Sequence, residues 1–107
     1  QKWLKKRSMD NSYMPGSKNS KIIMFYTYVL ESIKNGNLYV GYTGDLRKRL
    51  QEHNNGVNVS TKSYLPWKII YYESCLEEED AMRREQYLKT SQGSRMLKLR
   101  LRKYLNK

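Results

Sequence analysis

The 107-residue chain contains one cysteine, one histidine, one phenylalanine and two prolines, and only ten acidic side chains stand against 21 lysines and arginines. A single Cys75 closes neither an internal disulfide nor a multi-thiolate zinc site, which excludes a secreted disulfide scaffold and a zinc finger. No window approaches the roughly 18 continuous apolar residues of a membrane span. Gln1 to Ser20 has basic residues with no apolar stretch behind them, unlike a secretory signal. The expectation is a cytoplasmic protein with no membrane attachment. Hydrophobic residues make up only 38% of the chain, enough for one small core.

Tyrosine and positive charge are abundant. Ten tyrosines and two tryptophans argue against a disordered polycation. The net charge of +11 points to a polyanionic partner, chiefly nucleic acid. By segment, residues 1–24 carry +5, residues 94–107 carry +6, and residues 25–93 hold nine charges of each sign. The excess therefore sits at the two ends of a formally neutral body.

Residues 1–23 show no sustained helical or strand period and read as a basic, partly flexible leader; residues 24–107 read as one domain. The β-branched and aromatic run Ile22 to Leu30 and the run Leu38 to Tyr42 flank Asn35-Gly36, a strong hairpin signal. With Asn35 and Gly36 as the two turn positions, Ser32 faces Tyr39, and Tyr28, Leu30, Tyr39 and Gly41 share one face. A two-residue slip of register keeps that face, whereas a one-residue slip destroys it. Thr43-Gly44-Asp45 supplies cap chemistry for a short helix, Leu46 to His53, closed by Asn54-Asn55-Gly56. Leu46 and Leu50 set its buried stripe, and Arg49 and His53 lie on one flank of it.

Pro66 to Tyr72 reads as a third strand. A helix follows from Glu77 to about Lys89, with acids in its first turn as the macrodipole favours. Gly93-Ser94 is expected to end it and to cap a basic C-terminal helix from Arg95 to Asn106. The fold class expected is α+β: a small three-stranded antiparallel sheet flanked by helices.

Glu85 falls in the middle of the apolar side that Leu76, Ala81, Met82 and Leu88 define. A carboxylate there implies a bound cation, a paired arginine or a cleft; the plainer alternative is a packed stem whose carboxylate meets Arg49 or Lys89. Tyr28 and Tyr39 could serve simply as sheet aromatics, and Arg49 and His53 as the polar margin of a short helix.

In order, these residues resemble the GIY-YIG endonuclease family. Tyr26-Thr27-Tyr28 stands where the family has Gly-Ile-Tyr, and Tyr39-Val40-Gly41 where it has Tyr-Ile-Gly. Arg49, His53 four residues later, and Glu85 in Ala81-Met82-Arg83-Arg84-Glu85 complete the likeness, which covers about Met24 to Lys103. The chain is similar to the small standalone members related to the N-terminal nuclease domain of the excision-repair nuclease subunit. The asparagine that some members carry after the glutamate has no counterpart, because the stretch from Glu85 to Leu105 contains none.

The resemblance implies a metal-dependent endonuclease that hydrolyses DNA phosphodiester bonds, with Tyr28, Tyr39, Arg49, His53 and Glu85 as its catalytic residues. Glu85 would hold one divalent ion, Mg²⁺ or Mn²⁺; Arg49 would clamp the phosphate; Tyr28 would deprotonate or orient the water, with Tyr39 and His53 assisting. Which tyrosine acts as base stays open. Lys62, Arg95, Lys98 and Arg102 are the candidate contacts to the nucleic-acid backbone. The alternative is a non-catalytic nucleic-acid-binding module on the same fold. Whether a second copy or a partner protein completes it is not legible in the sequence.

Overall fold

The computed structural model describes residues 22–107, so most of the expected leader lies outside the described residues. Its elements are β1 (Phe25–Ser32), β2 (Leu38–Thr43), α1 (Leu46–Asn54), a 3-10 turn (Lys62–Tyr64), β3 (Trp67–Cys75), α2 (Glu78–Leu88), α3 (Ser91–Arg100) and α4 (Arg102–Leu105). The sheet is antiparallel in the order β2-β1-β3. This is the expected α+β class, with β1 as the central strand.

The hairpin departs from the expected register by two residues. Leu30 pairs with Tyr39 and Tyr28 with Gly41. The cause is Ser32, whose Oγ accepts from the backbone N–H of Lys34 (3.2 Å) and Asn35 (3.3 Å) and donates to the Tyr64 carbonyl (2.7 Å). Residues 33–36 are thereby drawn into the turn, with Gly36 at φ +79°. Because the slip is even, Tyr28, Leu30, Tyr39 and Gly41 still share a face.

Each face of the sheet has its own cluster. On one, Tyr28, Leu30 and Trp67 pack with Tyr39, Leu46, Leu50 and Leu65, so α1 covers this side. On the other, Val29 and Val40 meet Leu88 of α2 and Leu97 of α3. Strand β3 runs three residues beyond the expected Tyr72 and contains a bulge, since Val29 pairs with Tyr71 but Leu30 pairs with Ile69. The extra residue, Ile70, packs on the α2–α3 side together with Tyr71, while Ile69 and Trp67 remain on the α1 side. Thr27, which stands at the isoleucine position of the first motif, is buried and donates to the Ala81 carbonyl (3.0 Å), tying β1 to α2.

The expected single C-terminal helix is two. Thr90, not Gly93-Ser94, is the N-cap of α3: its Oγ1 accepts from the Gly93 N–H at 3.0 Å. Gly93 lies inside α3, against the end of α2. Leu101 then separates α3 from α4, and Tyr104 of α4 donates to Glu31 of β1 (2.5 Å). Met82 and Leu76, expected on the apolar side of α2, are exposed, leaving Ala81 and Leu88 as its buried contacts.

A Cβ at Gly93 would coincide with the Tyr87 backbone carbonyl, which has no flexible end to yield. Gly93→Ala is expected to lower the unfolding free energy by about 2 kcal/mol through overpacking, read by urea denaturation. An unchanged midpoint would contradict this packing.

Candidate active site

The residues on the α1 side of the sheet meet around one hydroxyl. Asp45 caps α1 by accepting from the Lys48 N–H (3.1 Å), and the helix presents Arg49 and His53 one turn apart toward β1. Tyr28 Oη lies 2.8 Å from His53 Nε2 and accepts from Arg49 Nε at 3.4 Å. The Tyr39 ring stands edge-on to His53, with centroids 5.0 Å apart, and 6.5 Å from the Tyr28 ring. Gly41 is required here in a specific sense: a Cβ at this position would fall 2.5 Å from Tyr28 Oη. The glycine of the second motif thus makes room for the tyrosine of the first.

His53 is not a polar margin of its helix but fully buried. Its Nδ1 lies 2.8 Å from Thr61 Oγ1, a residue also with no exposed surface and not singled out from the sequence. The loop between α1 and β3 is fixed by Asn54. Its amide donates to the Trp67 carbonyl (3.0 Å) and accepts from the Trp67 N–H (2.7 Å), while the indole N–H donates to the Thr61 carbonyl (2.9 Å). No sequence period announces these bonds; the lone histidine was the available signal.

Burial pushes the Tyr28 phenol up to about 12, against the opposing bond and charge of Arg49. Burial and then the Arg49 charge push the His53 imidazole down to about 4. The bond to Tyr28, followed by that to Glu52 (Nη1 to Oε1, 3.0 Å), stabilises the charge on Arg49. At neutral pH the site is therefore a neutral phenol, a neutral imidazole and a fixed guanidinium.

Glu85 reaches this group from α2. Its side chain is 16% exposed and its carboxylate pairs with Lys89 Nζ at 3.1 Å, one of the two partners expected for it, and its charge acts on Tyr28. Lys89 Nζ also lies over the Tyr39 ring, 5.7 Å from the centroid. Lys89, Tyr39 and Lys98 line an open groove beside the hairpin turn, which Tyr39 alone of the residues Tyr28, Tyr39, Arg49, His53 and Glu85 borders. Lys62, Arg95, Lys98 and Arg102 are exposed, and Arg102 donates to the Leu99 carbonyl (3.1 Å). Among the described residues no cluster of three or more His, Cys, Asp or Glu side chains could hold a metal ion, and no helix is long and apolar enough to cross a membrane.

The GIY-YIG catalytic domain matches residues 24–99, most of the chain. The chain belongs to the GIY-YIG family. The GIY-YIG domain is similar to a UPF0213 protein of Streptococcus pneumoniae, 45% identical over 65 residues, 60% of this chain and 65% of that relative. Another UPF0213 protein, from Streptococcus agalactiae, is 43% identical over 75 residues, 69% of this chain and 82% of the relative. The solution NMR structure of the UPF0213 protein BH0048 from Bacillus halodurans is 29% identical, with a TM-score of 0.44 over 70% of this chain and 82% of that one.

The depressed His53 value has a consequence for the stability of this GIY-YIG domain. The unfolded imidazole takes up a proton near 6.5 and the folded one only near 4, so the contribution is present above 6.5 and is lost as pH falls toward 4. Urea midpoints should fall more between pH 7 and pH 5 in the natural protein than in His53→Gln. Equal falls would contradict a buried, neutral His53.

Proposed function

We propose that this GIY-YIG domain is a divalent-metal-dependent endonuclease that hydrolyses DNA phosphodiester bonds. The observation that carries the reading is the Tyr28 hydroxyl held between His53 Nε2 and Arg49 Nε. Tyr28 is the better candidate for the base because its hydroxyl is within hydrogen-bond distance of His53 Nε2, a group able to take up a proton, whereas Tyr39 meets His53 through its ring.

A phenol at about 12 is a poor base alone. Paired with His53 it need not ionise first: as Tyr28 Oη takes a proton from the attacking water, its own proton passes to Nε2, leaving a neutral phenol and an imidazolium. The charge of Arg49 opposes that imidazolium in the free protein. A phosphate clamped by the Arg49 guanidinium offsets this charge, so substrate binding raises the basicity of His53 when proton transfer is needed. Arg49 also stabilises the charge that builds on the phosphorane oxygens.

Glu85 is the residue that would hold a metal, and its setting fits a hard cation. Mg²⁺ keeps most of its waters and binds through one or two carboxylates plus substrate phosphate. The Glu85 carboxylate is partly exposed and its partner is a surface lysine that can move away. A bound Mg²⁺ or Mn²⁺ ion would supply Lewis-acid stabilisation of the phosphorane and the leaving oxygen. Lys89 supplies the counter-charge to Glu85 in the free protein, and once displaced it lies beside the groove that Lys98 also lines. Lys62, Arg95, Lys98 and Arg102 would hold the DNA backbone without choosing its sequence.

The test is a panel of branched, single-stranded and duplex DNAs with Mg²⁺ or Mn²⁺. Cleavage is expected, EDTA should stop it, and Glu85→Gln should reduce it by about 100-fold or more while the circular dichroism spectrum is unchanged. Full cleavage by Glu85→Gln would overturn the assignment of Glu85. Salt-sensitive DNA retention with no cleavage under either metal would favour the binding module instead.

A further inference from the structure

We propose that Thr61 is a positioning residue: its hydroxyl oxygen accepts from Nδ1–H of His53 and so selects the imidazole tautomer whose unprotonated Nε2 faces the Tyr28 hydroxyl. The catalytic consequence rests on the nuclease reading; the tautomer itself does not.

The case is one of donors and acceptors in a buried line. Thr61 Oγ1 has two neighbours of interest, His53 Nδ1 at 2.8 Å and the Asn58 carbonyl at 3.4 Å. The carbonyl can only accept, whereas a neutral imidazole donates from one nitrogen and accepts at the other. Suppose the Thr61 hydroxyl gave its proton to Nδ1. Nε2 would then carry the ring proton and donate it to Tyr28 Oη, which already accepts from Arg49 Nε. The phenol proton would be left without either of these neighbours as an acceptor. In the opposite arrangement every proton is used: Arg49 Nε–H to Tyr28 Oη, Tyr28 Oη–H to Nε2, Nδ1–H to Thr61 Oγ1, and Thr61 Oγ1–H to the Asn58 carbonyl. The bonds then run in one direction from the guanidinium to the loop, and each polarises the next.

Thr61 is built to hold this position. Its backbone N–H donates to the Asn58 carbonyl (3.2 Å), and its own carbonyl accepts from Tyr64 N–H (3.1 Å) and from the Trp67 indole (2.9 Å). Trp67 is in turn bound on both backbone groups by Asn54 at the end of the helix that carries His53. Hydroxyl and imidazole are thus anchored to one another through α1 as well as through their own bond. A valine at this position keeps the shape of threonine and loses the oxygen; a serine keeps the oxygen.

His53 is the only histidine in the chain, so its ring nitrogens can be read without assignment ambiguity. Long-range ¹H–¹⁵N correlation spectra of the ¹⁵N-labelled full chain at pH 7 are expected to show a protonated Nδ1 and a bare Nε2 in the natural protein and in Thr61→Ser. In Thr61→Val the spectrum should move toward a protonated Nε2. With a DNA that the natural protein cleaves, Thr61→Val should lose about 10–100-fold in kcat with little change in KM, and Thr61→Ser should recover most of it. A protonated Nε2 in the natural protein would overturn the proposal with no variant needed, as would an unaltered tautomer in a folded Thr61→Val. If the tautomer responds as expected while no DNA is cleaved, Thr61 keeps its role toward His53 and the nuclease reading fails separately.

Discussion

One hydrogen bond, Tyr28 Oη to His53 Nε2, joins the middle of the central strand to the last turn of the helix that covers it. Both partners are buried, and leaving either unpaired would cost about 1–3 kcal/mol. Much of the local sequence serves this contact. Gly41 clears the space for the phenol, Asp45 fixes where α1 begins, and the Asn54–Trp67 pair fixes where it ends relative to β3. The result is a polar line set into an otherwise apolar cluster of Leu30, Trp67, Leu46 and Leu50. Buried on all sides, such a line holds its side chains in fixed positions relative to one another.

Charge is divided in a way that matches this construction. The buried pair is neutral at pH 7, and Arg49 and Glu85 stand at the margin with surface counter-ions in Glu52 and Lys89. On the nuclease reading both counter-ions give way to a stronger partner, a phosphate for Glu52 and a cation for Lys89. The excess positive charge of the sequence lies at its two ends.

Much of the fold was legible because it follows from period and punctuation. A hairpin at Asn35-Gly36, though in a register shifted by two residues, the Asp45 cap and the shared face of Tyr28, Leu30, Tyr39 and Gly41 all appear. The misses have specific causes. Ser32 closes its turn by side-chain bonds, which shifts the register without changing the face. The bulge at Ile70 falls in the continuous run Ile69-Ile70-Tyr71-Tyr72, which carries no alternation to mark it, and Thr90 competes successfully with Gly93 as a cap because its hydroxyl reaches the orphan N–H. At the site, the juxtaposition of Tyr28, Tyr39, Arg49 and His53 followed from motif order, but the burial of His53 and the part of Thr61 did not. Those depend on a loop held by Asn54 across 13 residues, a contact with no local pattern.

The central claim is that Tyr28 and His53 act as one proton-transfer unit in DNA cleavage. It is tested most directly by a double-mutant cycle on the single-turnover cleavage rate, with Tyr28→Phe, His53→Gln and the double variant under saturating Mg²⁺. If they form one unit, each single variant and the double should lose about the same factor, on the order of 10² to 10⁴. Losses that multiply in the double variant, or a single variant that cleaves at the natural rate, would contradict it.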